Sequence, residues 1–193
     1  MTAGIETTTG PLGQGCGNSV GMAMASKWLG AHYNRPGHVL FDYDTYVLCS
    51  DGDLMEGVAA EAASLAGHLK LDNLCWIYDD NSITIEGETE LAFSEDVGMR
   101  FEGLSWRVER VADANDTAAI GRALAAFRSE QHKPTLIIVR SVIGFGAPTK
   151  AGSHSSHGAP LGAEEIKGAK EAYGWPADAS FLVPPEVPAH FKA

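Results

Sequence analysis

Two short segments carry the oxygen-rich chemistry of this chain, Ser50-Asp51-Gly52 and Asp79-Asp80-Asn81. Each closes an apolar run: Tyr46-Val47-Leu48-Cys49 before the first, Leu74-Cys75-Trp76-Ile77-Tyr78 before the second. An Asp-Gly turn at one strand end and an Asn at another suit a hard cation that carries a diphosphate. Mg²⁺ wants oxygen ligands in near-octahedral array, one or two of them from protein and the rest from phosphate and water. Asp51 offers a carboxylate oxygen, Asn81 an amide oxygen, and the turn after Asn81 a backbone carbonyl. Gly52 allows the backbone to approach a phosphate closely. The segment between Asp51 and Asn81 has room for one crossover helix between parallel neighbouring strands. Both ligands then lie at the carboxyl edge of one sheet, where open α/β sheets bind ligands.

Plainer readings stand beside this one. Asp51 also suits a helix N-cap after a strand turn, and Asn81 a left-handed or turn residue. The Gly-rich stretch Gly10–Gly17 also suits a loop before a helix. Their coincidence, with two matching strand ends downstream of that stretch, shifts the balance toward a metal–diphosphate site. His154 and His157 sit in a Gly/Ser-rich loop, where exposed polar residues are ordinary. Glu56 and Glu61 read as a solvated helix face. No Walker, His-x-x-Glu-His or Cys-x-x-Cys pattern and no Ser-His-Asp motif is legible.

Composition bounds the class. The 193 residues suit one domain or most of one, and 45% hydrophobic content suffices for a packed core. A formal net charge of −11 argues against nucleic acid or an anionic membrane as main partner. It leaves room for an anionic cofactor held locally by a metal. Cys16, Cys49 and Cys75 are scattered and odd in number, which predicts reduced, buried thiols in a cytoplasmic protein. No leader and no long apolar segment is legible.

The elements that must position these residues alternate. The pattern predicts a buried helix over about 18–31, a strand at 45–50, a helix over 55–69 and a strand at 74–78. A loop or short hairpin follows over 82–93, around Ile83, Ile85 and Gly87. Ser94 is placed to cap a short helix running to Glu102. Further elements are a strand at 106–111, a helix capped by Asp116 or Thr117, and a strand at 136–139 whose continuous apolar run suits cover on both faces. A late helix spans 163–173, and the Pro-rich tail 177–193 reads as irregular. Strands alternating with helices predict an α/β fold: a three-layer sandwich with a mainly parallel sheet and helices on both faces.

The motifs, taken together, resemble transketolase. Glu6-Thr7-Thr8-Thr9-Gly10-Pro11-Leu12-Gly13-Gln14-Gly15 is similar to the cofactor-binding segment of that family. Asp51-Gly52, Leu54-Met55-Glu56-Gly57, Leu65-Ala66-Gly67 and Tyr78-Asp79-Asp80-Asn81 continue the match, as does Val142-Ile143-Gly144-Phe145-Gly146. Lys150-Ala151-Gly152 and Ser156-His157-Gly158-Ala159-Pro160-Leu161-Gly162 complete it. The similarity runs from residue 3 to about 176, so residues 1–176 are expected to form a partial thiamine diphosphate-binding domain.

The resemblance implies thiamine diphosphate with Mg²⁺ or Ca²⁺. It implies metal ligation by Asp51, Asn81 and the carbonyl of Ile83. Gly10, Pro11, Leu12, Gly52 and Asn81 would contact the cofactor, and Ile85 and Ile143 would form apolar walls. His157 would lie between the diphosphate and the reacting carbon and assist proton transfer on the substrate. Glu56 and Glu61 would join a carboxylate network at a subunit interface. The implied reaction moves a two-carbon ketol unit between sugar phosphates; dihydroxyacetone synthase chemistry and a non-catalytic scaffold are the rival readings. The chain is expected to be a truncated piece, inactive alone, acting on sugar phosphates only with a complementing pyrimidine-binding domain. Exposed apolar surface is expected to drive homo-oligomerisation. Two departures from the family pattern stand out. Ser50 replaces a Gly and narrows the backbone choices at a tight turn, and Asp53 adds a negative charge near a diphosphate.

Overall fold

The computed structural model describes residues 4–192. Residues 1–3 of the expected domain and residue 193 of the expected tail lie outside that range. The chain divides into two compact units, one ending at Ser141 and the other beginning at Val142.

The first unit is built on four strands: β1 (Thr45–Ser50), β2 (Leu74–Asp80), β3 (Arg107–Val111) and β4 (Thr135–Arg140). All pair in parallel, in the order β1-β2-β4-β3. Its helices are α1 (Gln14–Tyr33), α2 (Asp51–Met55), α3 (Gly57–Leu69), α4 (Val97–Gly103) and α5 (Thr117–Ser129).

Strand alternation sorts the core into two layers. Leu74, Trp76, Tyr78 and Leu136 pack with Cys16, Val20 and Ala23 of α1, Ala59, Ala63 and Ala66 of α3, and Phe101 of α4. Cys75, Ile137 and Val139 point the other way, onto Ala123 and Phe127 of α5. The cover on both faces expected from the continuous apolar run at 136–139 is therefore present. All three cysteines are free and buried, as their scatter predicted.

The strand order explains the helix placement. From β1 to β2 and on to β3 the chain advances across the sheet, with α3 and α4 on one face. From β3 it steps back to β4 through α5 on the other face. Crossovers of one hand that travel in opposite directions must use opposite faces. The small residues of α3 let it approach closely: a Cβ on Gly67 would lie 1.8 Å from the carbonyl oxygen of Leu104.

Several boundaries differ from the sequence reading. The α1 helix begins at Gln14, absorbing Gly15 and Gly17, because left-handed Gly13 (φ +75°) ends the preceding turn. The helix expected over 55–69 is two helices. The first starts at Asp51, directly off β1, and extended Glu56 (φ −74°, ψ 137°) separates it from the second. Asp96, not Ser94, caps α4, accepting the Met99 amide at 2.9 Å. Asp116 caps α5 through the Ala119 amide.

The second unit contains α6 (Ala163–Ala172) and α7 (Glu186–Lys192). The second of these falls in the tail expected to be irregular. Pro188 sits in its first turn, where a missing N–H costs no intrahelical bond.

Large apolar side chains are exposed on the β1 side, including Leu48 at 85% and Leu40 at 71%. Among the described residues, no helix is long and apolar enough to cross a membrane.

Candidate functional site

Register places the two oxygen-rich segments together. Ser50 pairs with Asp79, so Asp51 and Asp80-Asn81 follow the last shared rung of neighbouring strands. A cleft of about 560 Å³ opens there, lined by Asp51, Tyr78, Asp80, Ser82, Arg110 and Arg140, among others. It sits at the carboxyl ends of the strands, near the reversal in strand order, where α/β sheets hold ligands.

Asp51 is the first residue of α2 and is only 3% exposed. Its Oδ1 accepts the Tyr78 hydroxyl at 2.5 Å. Burial pushes the Asp51 carboxyl above its usual range, and the Tyr78 hydrogen bond works in the opposite direction. Burial, followed by the same bond, pushes the Tyr78 phenol up as well, so it stays a proton donor. A buried carboxylate of this kind is stabilised by a cation.

Asn81 folds back on its own loop. Its Oδ1 accepts the Ile83 amide at 2.9 Å and its Nδ2 donates to Asp79 at 3.0 Å. Ile83 and Glu88 form an isolated antiparallel bridge, the small hairpin expected over 82–93. Its bonds run from the Thr84 amide to Gly87 and from the Thr89 amide to Ser82, at 2.7 and 2.9 Å. No amide among the described residues donates to the Ile83 carbonyl. Ser82 holds a left-handed backbone (φ +62°), and Arg140 clamps it, donating to Ser82 Oγ at 2.6 Å and Asp80 at 3.1 Å.

The donor set is thus one buried carboxylate, one amide oxygen with a lone pair to spare, and one open carbonyl. It fits a hard cation that takes its remaining ligands from phosphate and water. Among the described residues no three His, Cys, Asp or Glu side chains form a metal cage, and such a site requires none.

The Gly-rich segment lies against the same strand end. Leu12 covers Gly52, where an added Cβ would meet Leu12 Cδ1 at 3.1 Å. A Cβ on Gly13 would come within 2.8 Å of Glu56 Cβ and 2.9 Å of Val58 Cγ1. The Gly13 amide donates to Asp53 Oδ1 at 2.8 Å. Gly10–Leu12 and Asp51-Gly52 are therefore neighbours across some 40 residues of chain.

The two departures find physical explanations here. Ser50 is extended (φ −125°, ψ 178°), a conformation that any L-residue adopts without strain. Asp53 is half-buried, and its Oδ2 accepts the Ser50 amide at 2.9 Å and the Ser50 hydroxyl at 3.1 Å. Glu56 and Glu61 are exposed, as is Ile85 at 66%.

Ile143 and His157 belong to the second unit. The Ile143 carbonyl accepts the Gly152 amide at 2.8 Å, closing the segment that leads to a short 3-10 turn, His154–Ser156. His157 follows that turn and is exposed. Lys150 ties the loop's ends, its Nζ donating to the Leu161 carbonyl at 2.9 Å while its own carbonyl accepts Ser156 Oγ at 2.7 Å. The Glu165 carboxylate accepts the Thr149 hydroxyl and the amides of Thr149 and Lys150.

Sequence reasoning missed Tyr78 and Arg140 as site residues. Tyr78 reads as one more member of an apolar strand, and its hydroxyl alone hints at a buried partner. Arg140 reads as an exposed strand end.

The whole chain, residues 1–193, matches the family described as transketolase, thiamine diphosphate binding domain. It is 55% identical over 192 residues to a transketolase of Geobacillus stearothermophilus, covering 100% of this chain and 29% of that protein. It is 51% identical over 192 residues to transketolase 1 of Escherichia coli, with the same coverage of 100% and 29%. Among solved structures, transketolase from Leishmania mexicana superposes with a TM-score of 0.95 at 44% identity, covering 99% of this chain and 28% of that one. A Pichia stipitis transketolase complex with sedoheptulose 7-phosphate gives a TM-score of 0.93 at 48% identity, covering 97% and 28%. The chain thus spans less than a third of the length of these proteins.

Proposed function

Since this chain belongs to the transketolase family through its thiamine diphosphate-binding domain, we propose that it supplies the diphosphate and metal half of a site that transfers two-carbon ketol units between sugar phosphates. The observation that carries this reading is the buried Asp51 carboxylate, aimed by Tyr78 beside a Gly52 that lies under Leu12. Asp51, Asn81 and the Ile83 carbonyl hold the divalent metal, Mg²⁺ or Ca²⁺. Gly10, Pro11, Leu12, Gly52 and Asn81 receive the cofactor, with Ile85 and Ile143 as apolar walls. When bound, thiamine diphosphate supplies the carbon nucleophile and electron sink that ketose cleavage needs.

The chain's own residues position and polarise. Tyr78 keeps one Asp51 oxygen occupied, which leaves the other for the metal. Arg140 fixes the turn that carries Asn81 and Ile83. His157 moves a proton on the substrate, from a loop tied at both ends. A pyrimidine-binding domain completes the site, in a homo-oligomer in the cytoplasm. The unstrained backbone of Ser50 and the three hydrogen bonds of Asp53 support the cofactor reading over a scaffold.

The test is calorimetric titration of thiamine diphosphate into the 193-residue chain, with Mg²⁺ and then with chelator. Metal-dependent binding that Asp51→Ala abolishes is the expected result. Absence of binding at about millimolar cofactor, a free energy near −4 kcal/mol, counts against the reading.

A further inference from the structure

We infer that Asp53 is a positioning residue, a latch that holds the Gly10–Leu12 segment in place against the Asp51-Gly52 turn. The cofactor role of those two segments rests on the proposed function; the latch itself rests on geometry alone.

One carboxylate joins three donors from two distant stretches. Oδ1 takes the Gly13 amide at 2.8 Å, and Oδ2 takes the amide and hydroxyl of Ser50 at 2.9 and 3.1 Å. The Ser50 contacts form a local helix start, with Asp53 three residues beyond the N-cap. A five-residue helix needs no more than that. The reach to Gly13, 40 residues away, serves the other partner. Gly13 stands at the left-handed N-cap of α1, which has no side-chain cap of its own. Its amide direction sets where Gly10, Pro11 and Leu12 run.

Two further contacts make the seat specific. Gly13 lies close enough to Glu56 and Val58 to leave no room for a Cβ, and Leu12 lies on Gly52. These contacts set distance; the hydrogen bond adds direction. Ser50 and Asp53 thus act as one unit, the hydroxyl helping to hold the carboxylate that the Gly13 amide meets. Both carboxylate oxygens are thus engaged by donors of this chain.

The test uses amide hydrogen exchange on the 193-residue chain without cofactor, comparing wild type, Asp53→Ala and Ser50→Ala. Loss of a hydrogen bond to a charged group predicts about tenfold faster exchange at Gly13 in Asp53→Ala. Amides of β4 should hold their rates. Ser50→Ala, which leaves the Gly13 bond in place, should change Gly13 by about threefold at most. Should Asp53→Ala not fold, Asp53→Asn replaces it; this retains one acceptor oxygen and should give an intermediate rate. Unchanged Gly13 exchange in the Asp53 variant overturns the latch. Titration of thiamine diphosphate with Mg²⁺ into the same proteins separates the two ideas. Wild type that binds no cofactor, with Gly13 released in Asp53→Ala, overturns the cofactor reading and leaves the latch standing. Binding weakened about tenfold in Asp53→Ala supports both.

Discussion

The phenol of Tyr78 and the carboxylate of Asp51 meet at 2.5 Å across the ends of neighbouring strands. The two residues belong to different parts of the fold. Tyr78 is core, packed with Trp76 and Leu136, while Asp51 opens the helix that follows β1. The bond fixes the rotation of a carboxylate that burial would otherwise disfavour as an anion.

Tyr78→Phe therefore keeps the ring in the core and removes only the donor. Loss of such an outer-shell partner weakens metal affinity about tenfold or more. The measurement is the Mg²⁺ dependence of thiamine diphosphate binding, with far-UV circular dichroism as the control for folding. A Mg²⁺ midpoint equal to that of wild type would show that Asp51 is aimed by something else.

In the second unit the Glu165 carboxylate closes the loop at Thr149 and Lys150. The Thr149 hydroxyl, followed by the Thr149 and Lys150 amides, holds the Glu165 carboxyl below its ordinary value of 4.5. A depressed carboxylate adds order that is complete above the ordinary value and is lost as pH falls through the lowered one. Amide exchange at Lys150 should therefore accelerate on acidification below the ordinary carboxylate value of 4.5, after correction for intrinsic rates. Glu165→Gln should show faster exchange already at neutral pH and a flatter pH response. A Gln variant with wild-type rates and the wild-type pH response would place the closure elsewhere.

Packing leaves no room for a side chain at Gly67. The Cα of Gly67 lies where α3 meets the Leu104 carbonyl, and a methyl there would collide with backbone at 1.8 Å. Gly67→Ala should cost about 3 kcal/mol, at the upper end of usual overpacking penalties, despite the better helix propensity of Ala. Urea unfolding measures it. A midpoint at or above that of wild type would mean that α3 shifts freely, and that the Trp106–Ala63 hydrogen bond of 2.8 Å beside it does not fix its height.

What the amino-acid order determined by itself was local. Alternating and continuous apolar runs marked β1 and β4, and Asp116 marked the start of α5, because burial periodicity and capping act over a few residues. The oxygen donors at 51 and 81 were legible for the same reason: each sits where its own strand ends. Tertiary structure decided the rest. Helical periodicity over 55–69 predicts one helix, yet the helix breaks at Glu56, where a Cβ on Gly13 would come within 2.8 Å of the Glu56 Cβ. Asp53 looked like a stray charge because its Gly13 partner lies 40 residues away. Tyr78 looked like core because only sheet register brings its hydroxyl to Asp51. Hydrogen-bond partners of this kind are set by the direction of a turn and the pairing of strands, and no short stretch of sequence contains both halves of that geometry.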